Sequence, residues 1–410
     1  MIVVVGIGAG GWDEVPVRHQ QLIRGASVLL GGKRHLDLAP DVPGQRREPW
    51  PSPLRDGLPA LLESVGDAVA LASGDPLVSG IGTTLIDLLG PENVRIEPAV
   101  SSVALARARM GWSAESCVAV SLVGRDVALI ARELAPGRRI LALSSDGSTP
   151  VSVADLLVTV GFGASTMTVL GDLGAETETA QTATASTWVG ESPRLNMVAI
   201  ECAADRVGFD TEASVSRPTQ SFPASWTPGL PDDSFEHDGQ LTKRDLRASA
   251  LSRLAPTPGQ HLWDVGAGAG SVGIEWMRAH PTCTTTAIEA SSERAARIAR
   301  NAARLGVPNL SVIEGRAPDA LAGLPAPDAI FIGGGATRPG VLDTCLAALR
   351  PGGRIVVHGV TLETEQLLAA AYQEHGGELT RISVETSAPI GAFTGWTPAR
   401  SVTQWTLTVG

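Results

Sequence analysis

HLWDVGAGAGSVGIE, residues His261–Glu275, decides how the second half of this chain folds. An apolar run carries Asp264 and enters three glycines at alternate positions, Gly266, Gly268 and Gly270, before helix-forming residues begin. The pattern predicts a buried strand, a tight glycine turn and a helix N-terminus, where a nucleotide-like cofactor can meet bare backbone N–H groups. Further along, strands are predicted at Thr284–Ile288, Leu310–Ile313, Asp328–Ile332 and Arg354–Val357, with helices at Ser292–Leu305 and Gly340–Leu349 between them. A helix near Glu363–Glu374 and two last strands, Leu379–Thr386 and Ser401–Val409, suggest a hairpin on the sheet edge. Such strand, loop and helix units imply an α/β architecture.

Glu289 ends the strand after the glycine turn, placed to hold two ribose hydroxyls. Ser271 stands where a dinucleotide fingerprint wants its third glycine. A pyrophosphate needs that helix end bare, and a cofactor without phosphates does not, so the turn fits S-adenosylmethionine as well as a nicotinamide dinucleotide. The Leu349–Gly353 turn, LRPGG, and the terminal hairpin favour the methyl donor.

A second glycine cluster opens the chain. Ile2–Val5 is an apolar strand entering Gly6, Gly8, Gly10 and Gly11, which spell GxGxxG. No helix opens there, because Trp12–Pro16 follows, and the next strand, Ala26–Leu30, ends in glycines with no carboxylate. Both facts argue against a nicotinamide site. Val17–Arg24 reads as a short helix and Pro40–Pro59 as a Pro-rich loop. Ala68–Ala72 delivers Ser73, Gly74, Asp75 and Pro76 into a glycine loop, either a ligand loop or a tight turn with an Asx cap. Ser101 and Ser102 precede a helix that either can cap. Between Asp205 and Pro231 four prolines punctuate a Ser- and Thr-rich stretch, read as a linker.

With 410 residues, two domains are expected. The formal net charge is −11, with 16 basic against 24 acidic residues up to 210 and 16 against 19 beyond, so neither half is a nucleic-acid binder by charge. Only Lys33 and Lys243 are lysine among 32 basic residues. Arginine suits fork-like pairing with carboxylates. Four scattered cysteines, without CxxC or a metal-ligand histidine, read as reduced packed residues of a cytoplasmic protein, and no metal is expected. The opening strand lacks the basic start of a signal peptide, and no apolar run approaches the ~20 residues of a membrane span.

DGQLTKRDLRA, DVGAGAGSVGIE, AIEA, EGRAP, PDAIFIGGG and LRPGGRIVVHGVTLET, in that order, resemble the decarboxylating precorrin methyltransferases of cobalamin synthesis. VVGIGAGG, LASGDPLVSGIG, PAVSS, SLVGR and LGDLGAETE resemble the tetrapyrrole methylase family. The resemblance implies a two-lobed tetrapyrrole methylase domain at 1–204, with lobes of about 1–98 and 99–204, then the 205–231 linker. A seven-stranded Rossmann-like methyltransferase domain at 232–410 would follow. It implies one S-adenosylmethionine site per domain: Gly8, Gly74, Asp75, Pro76, Ser101 and Ser102 in the first, and Asp264, Gly266, Gly268, Gly270, Glu289, Ala317 and Gly333 in the second. The activity implied is methylation of precorrin-6B at C5 by the first domain. The second would methylate C15 and decarboxylate the C12 acetate, giving precorrin-8x. Lys243, Asp75, Arg125 and Glu363 are the candidate catalytic residues, with Arg316, Asp172 and His358 in support; a structural histidine is an equal reading of His358. The partner is a polycarboxylate tetrapyrrole, with no nucleic acid and no membrane, and a homo-oligomer is expected. Three departures stand out: Val15–Pro16 for Leu-Thr, Ala99 for Gly, and Val123 for His. The alternatives are a nicotinamide-dependent oxidoreductase, or one domain kept as an inactive docking module.

Overall fold

The computed structural model describes residues 1–205 and 225–410. The described chain divides into two compact units, one of Met1–Val127 with Pro136–Asp205, the other of Ala128–Ala135 with residues 225–410. Most of the expected linker, residues 206–224, lies outside the described residues.

In the first unit β1 (Ile2–Ile7), β2 (Val28–Gly31), β3 (Arg46–Pro49), β4 (Ala68–Ser73) and β5 (Val94–Glu97) form a parallel sheet ordered β3-β2-β4-β1-β5. β1 and β4 are continuous apolar runs because parallel strands at a sheet centre are covered on both faces. Val4, Val5, Ala70 and Leu71 are fully buried accordingly. A second sheet is mixed: β6 (Val118–Ser121) runs parallel to β7 (Arg139–Leu143), while β8 (Thr166–Gly171), β9 (Thr179–Thr184) and β10 (Asn196–Glu201) pair antiparallel in the order β6-β7-β10-β8-β9.

The second unit is built on β11 (His261–Val265), β12 (Thr284–Glu289), β13 (Ser311–Glu314), β14 (Ala329–Ile332), β15 (Arg354–Gly359) and β16 (Glu378–Ile382). A separate hairpin, β17 (Glu385–Ile390) and β18 (Phe393–Pro398), precedes the last strand, β19 (Val402–Thr408). The seven-stranded order is β13-β12-β11-β14-β15-β19-β16, with only the β19 pairings antiparallel. The order reverses beside β11, so a crevice opens between β11 and β14 at their carboxyl ends, where open α/β sheets bind ligands.

Two sequence expectations are corrected. Pro40–Pro59 is not all loop: it contains β3 and the start of the helix Leu54–Val65, which tolerates Pro59 and buries Leu58 and Val65. Leu379–Thr386 is not one strand either. It breaks after Ile382 into β16 and β17, and β19 inserts between β15 and β16 instead of capping the edge. The β17–β18 hairpin carries Ile390, Phe393 and Trp396 exposed.

Candidate functional site

Three glycines after β11 each have a different physical reason. Gly266 (φ +69°) lies against the loop after β14, where a Cβ would fall 2.6 Å from the Gly334 carbonyl oxygen. Gly268 (φ +59°) faces the Gln240 carbonyl at 2.9 Å, and Gly270 (φ +75°) meets Ile298 at 2.7 Å. The helix Ser271–Ala279 therefore starts under the helix Ser292–Arg304, and Ser271 is buried. The Gly273 N–H donates to Asp264 Oδ2 (3.0 Å), so this helix end turns inward. Gly266, Ala267 and Gly268, by contrast, line a cavity of about 770 Å³ together with Glu289 and Gly333. Glu289 accepts the Gly268 N–H (2.9 Å) through one oxygen and the Ser291 N–H (3.0 Å) through the other. The glycine backbone and the carboxylate are thus fixed relative to one another before any ligand arrives.

Burial pushes the Asp264 carboxyl up to about 7; the Gly273 N–H opposes this and the Glu289 charge adds to it. Because the folded-state value exceeds the ordinary one near 4, the stabilisation belongs to the protonated form and is lost as pH rises from roughly 4 to about 7. Asp264→Asn keeps an acceptor for Gly273 but cannot ionise. Thermal melts across a pH series should show the variant gaining on wild type between those limits and no further above them. A gap independent of pH would show that Asp264 is not the titrating group.

The first unit has its own cavity, about 370 Å³, at the carboxyl ends of β1 and β4. Gly6 allows these loops to meet: a Cβ there would lie 1.8 Å from the Gly74 carbonyl, which itself accepts the Ala99 N–H (3.1 Å). Gly8, Gly74, Asp75, Ser101 and Ser102 line this cavity, as does Asp172, whose backbone is left-handed (φ +47°). Asp75 closes an Asx turn on the Leu77 N–H (2.9 Å), and Ser101 caps its helix through the Ala104 N–H (3.1 Å). Both bland readings hold, and both residues face the cavity as well.

Two family models match the chain: the precorrin methyltransferase domain over residues 233–409, and the tetrapyrrole (corrin/porphyrin) methylases over residues 1–187. A precorrin-6Y C(5,15)-methyltransferase [decarboxylating] of Sinorhizobium sp is 45% identical over 411 residues, covering 100% of this chain and 96% of that protein. The chain belongs to the precorrin-6Y C(5,15)-methyltransferase family. It is accordingly an S-adenosylmethionine-dependent methyltransferase. A family member from Mycobacterium tuberculosis (strain ATCC 25618 / H37Rv) is 41% identical over 413 residues, covering 100% of both chains. The crystal structure of the C-terminal domain of a Rhodobacter capsulatus family member is 42% identical, covering 45% of this chain and 99% of that one, with a TM-score of 0.43.

Against this family pattern, the expected residues divide. Lys243, Ala317, Gly333, Arg316 and His358 line the second cavity. Lys243 lies 3.6 Å from Asp232 and is half exposed. Nε2 of His358 is 2.9 Å from Gln404 Oε1, its ring stands edge-on to Phe331, and burial holds it down to about 4, a neutral ring at physiological pH. Asp264 and Gly270 lie behind the wall and do not line it, and neither does Pro76, whose carbonyl is closely approached by Gly80 and Gly82. Glu363 is a correction: it sits exposed in the first turn of the helix Leu362–His375, bonded to its own backbone N–H and to Thr361, off the cavity. Arg125 is another. A turn from its N–H to the Leu122 carbonyl (3.0 Å) leaves Val123 on the first cavity's wall and Arg125 off it. The cations on that wall are instead Arg34 and Arg194. Arg34 donates to Ser73 Oγ (3.2 Å) and lies 3.1 Å from His35 Nε2, which is also 3.0 Å from Ser73 Oγ. Burial, with the Arg34 charge, pushes His35 down to about 4, so it serves as a neutral acceptor. The Lys33–His35 run has no motif spacing to mark it, and only the fold brings it to the loop after β4. Of the departures, Val15 is buried in the core and Pro16 opens the helix Val17–Gly25.

Proposed function

We propose that the chain is a bifunctional methyltransferase of cobalamin synthesis with one S-adenosylmethionine site per domain. The domains are those expected from sequence, 1–204 and 232–410. In this reading the first methylates precorrin-6B at C5. The second methylates C15 and removes the C12 acetate carboxyl, giving precorrin-8x. The supporting observation is that each unit has its own cavity at the carboxyl ends of parallel strands, walled by bare glycine backbone.

The donor fits the second cavity on the chemistry of its walls. Gly266 and Gly268 leave backbone room for an adenosine, and Glu289, held by two N–H groups, retains lone pairs for ribose hydroxyls. In the first cavity Gly8, Gly74, Ser101 and Ser102 would play the cradle. The donor supplies an electrophilic methyl group, so no protein nucleophile is required. The chain's work is in-line positioning and exclusion of water. Arg34 and Arg194 would orient substrate carboxylates in the first cavity; in the second, Lys243, half exposed and paired with Asp232 at 3.6 Å, would add only a shared charge. For decarboxylation, the bond to the departing carboxyl carbon breaks and its electron pair enters the conjugated macrocycle. Carbon dioxide leaves, and a proton then adds to the methylene carbon.

Mass spectrometry with isotope-labelled donor should find two methyls gained and one carboxyl lost, and calorimetry should find two donor sites per chain. Tight NADH binding with no donor binding would sink the reading. Val123, on the first cavity's wall in place of the family histidine, carries the second reading, that the first domain is a docking module. Product with a single methyl, at C15, would favour it. Among the described residues no helix is long and apolar enough to cross a membrane. A cytoplasmic homo-oligomer belongs to the same proposal, with its assembly read by light scattering.

A further inference from the structure

The protein carries a net charge of −11, yet the wall of its larger cavity is cationic. Most of the charges there are already engaged. Asp232 pairs with Lys243 (3.6 Å) and Arg247 (3.4 Å), Arg294 pairs with Asp238 (2.9 Å), and Glu289 holds two backbone N–H groups. Arg244 and Asp245, adjacent at the start of the helix Arg244–Leu254, add no net charge to the wall. Three further cations come from loops: Arg316 after β13, Arg338 after β14, and Arg400 after β18. Among the described residues none of the three has a carboxylate within ion-pair distance, and all are exposed at the cavity wall.

A lone surface arginine means little, because water solvates it well. Three unpaired guanidiniums from three separate loops, converging on one concave site of an acidic protein, are a different matter. They raise the local concentration of anions and offer planar forks that match carboxylates. The glycine turn and Glu289 lie at β11 and β12; Arg338 follows β14 across the crevice and Arg400 follows the separate β17–β18 hairpin, whereas Arg316 follows β13 on the Glu289 side, where the Gly315 N–H donates to the Glu289 carbonyl (2.9 Å).

We propose that Arg316, Arg338 and Arg400 form a carboxylate clamp that positions the polyanionic substrate in the second cavity; this rests on the functional reading above. The clamp holds carboxylates that are retained. A guanidinium partner stabilises the very charge that decarboxylation must disperse, so the departing carboxylate has to lie elsewhere. The apolar surface of Ile382, Val384 and Val402 on the same wall supplies such a place.

The test uses the full-length chain with precorrin substrate and labelled donor, comparing wild type with R316Q, R338Q, R400Q and the triple variant. Each single substitution should raise KM for the tetrapyrrole at least about fivefold, with kcat and donor affinity within twofold. The corresponding lysine variants should fall between, since they keep charge but lose the fork. Raised salt should weaken wild type more than the triple variant. Far-UV circular dichroism and melting confirm folding, which exposed side chains are not expected to disturb. An unchanged KM in the triple variant would overturn the clamp, as would an equal loss of donor affinity. Faster release of carbon dioxide in any variant would place that guanidinium on the departing carboxylate and overturn the partition. If wild type itself transfers no methyl to the tetrapyrrole, it is the functional reading that fails.

Discussion

If each domain holds its own donor as proposed, Gly266→Ala is expected to silence the second site while leaving the first intact. Its backbone is left-handed (φ +69°), a region where a Cβ costs about 1–2 kcal/mol before any contact is counted. The added carbon would also fall 2.6 Å from the Gly334 oxygen and 2.9 Å from the Gly334 nitrogen. Both are backbone atoms of the loop after β14, so no side-chain rotation relieves the overlap. Either that loop or the glycine turn must move, and both line the cavity. Donor affinity at one of two calorimetric sites should drop by more than about tenfold, the equivalent of 1.4 kcal/mol. The product should gain one labelled methyl and keep its carboxyl. Two methyls with unaltered affinity at both sites would refute the placement of the donor.

The largest loss of stability is expected from Glu275→Ala. Glu275 lies on the helix that follows the glycine turn, fully engaged although buried. It takes an ion pair from Arg247 (2.5 Å) and N–H bonds from Gly229 (2.6 Å) and Leu230 (3.0 Å). Arg247 is completely buried too, and donates to the Leu230 and Thr242 carbonyls while lying over the Phe235 ring. Removing the carboxylate leaves the buried guanidinium with only the longer contact to the part-exposed Asp232 (3.4 Å) and two N–H groups unpaired, a loss of about 3–5 kcal/mol. Denaturant unfolding of the full chain should show it, and hydrogen exchange should localise it to β11 and the helix Ser271–Ala279. Replacing both partners by apolar residues of similar volume, Arg247→Met with Glu275→Leu, should recover much of the loss, because no lone charge then remains. A double variant as unstable as Glu275→Ala would refute this account.

The sequence was most legible where one local segment carries both the fold and the chemistry. Gly266 and Gly268 follow from one strand, turn and helix pattern and Glu289 from the end of the next strand, and the fold brings all three to one cavity wall, with the Gly268 N–H donating to Glu289. It was least legible where loops far apart in the chain converge. Arg338 and Arg400 lie on no motif, and Arg34 reaches Ser73 only because β2 and β4 are neighbours in the sheet. Arg125, in a loop after a strand, and Glu363, a candidate for handling protons, are engaged instead in local turn and first-turn helix geometry. Proline density was misleading in the same way at Leu54–Val65, where the apolar spacing of Leu58 and Val65 outweighs Pro59.

The inward-turned start of the helix Ser271–Ala279 bears on how this enzyme lives among other nucleotides. Gly270 at its start packs against Ile298 of the neighbouring helix, and the Gly273 N–H is held by Asp264, so this end of the helix is turned into the protein. A triphosphate or dinucleotide entering the crevice would find room for its adenosine but no helix end to stabilise its phosphates. A donor site of the proposed kind would thereby discriminate against abundant cellular competitors by withholding an interaction, without any side chain devoted to repelling them.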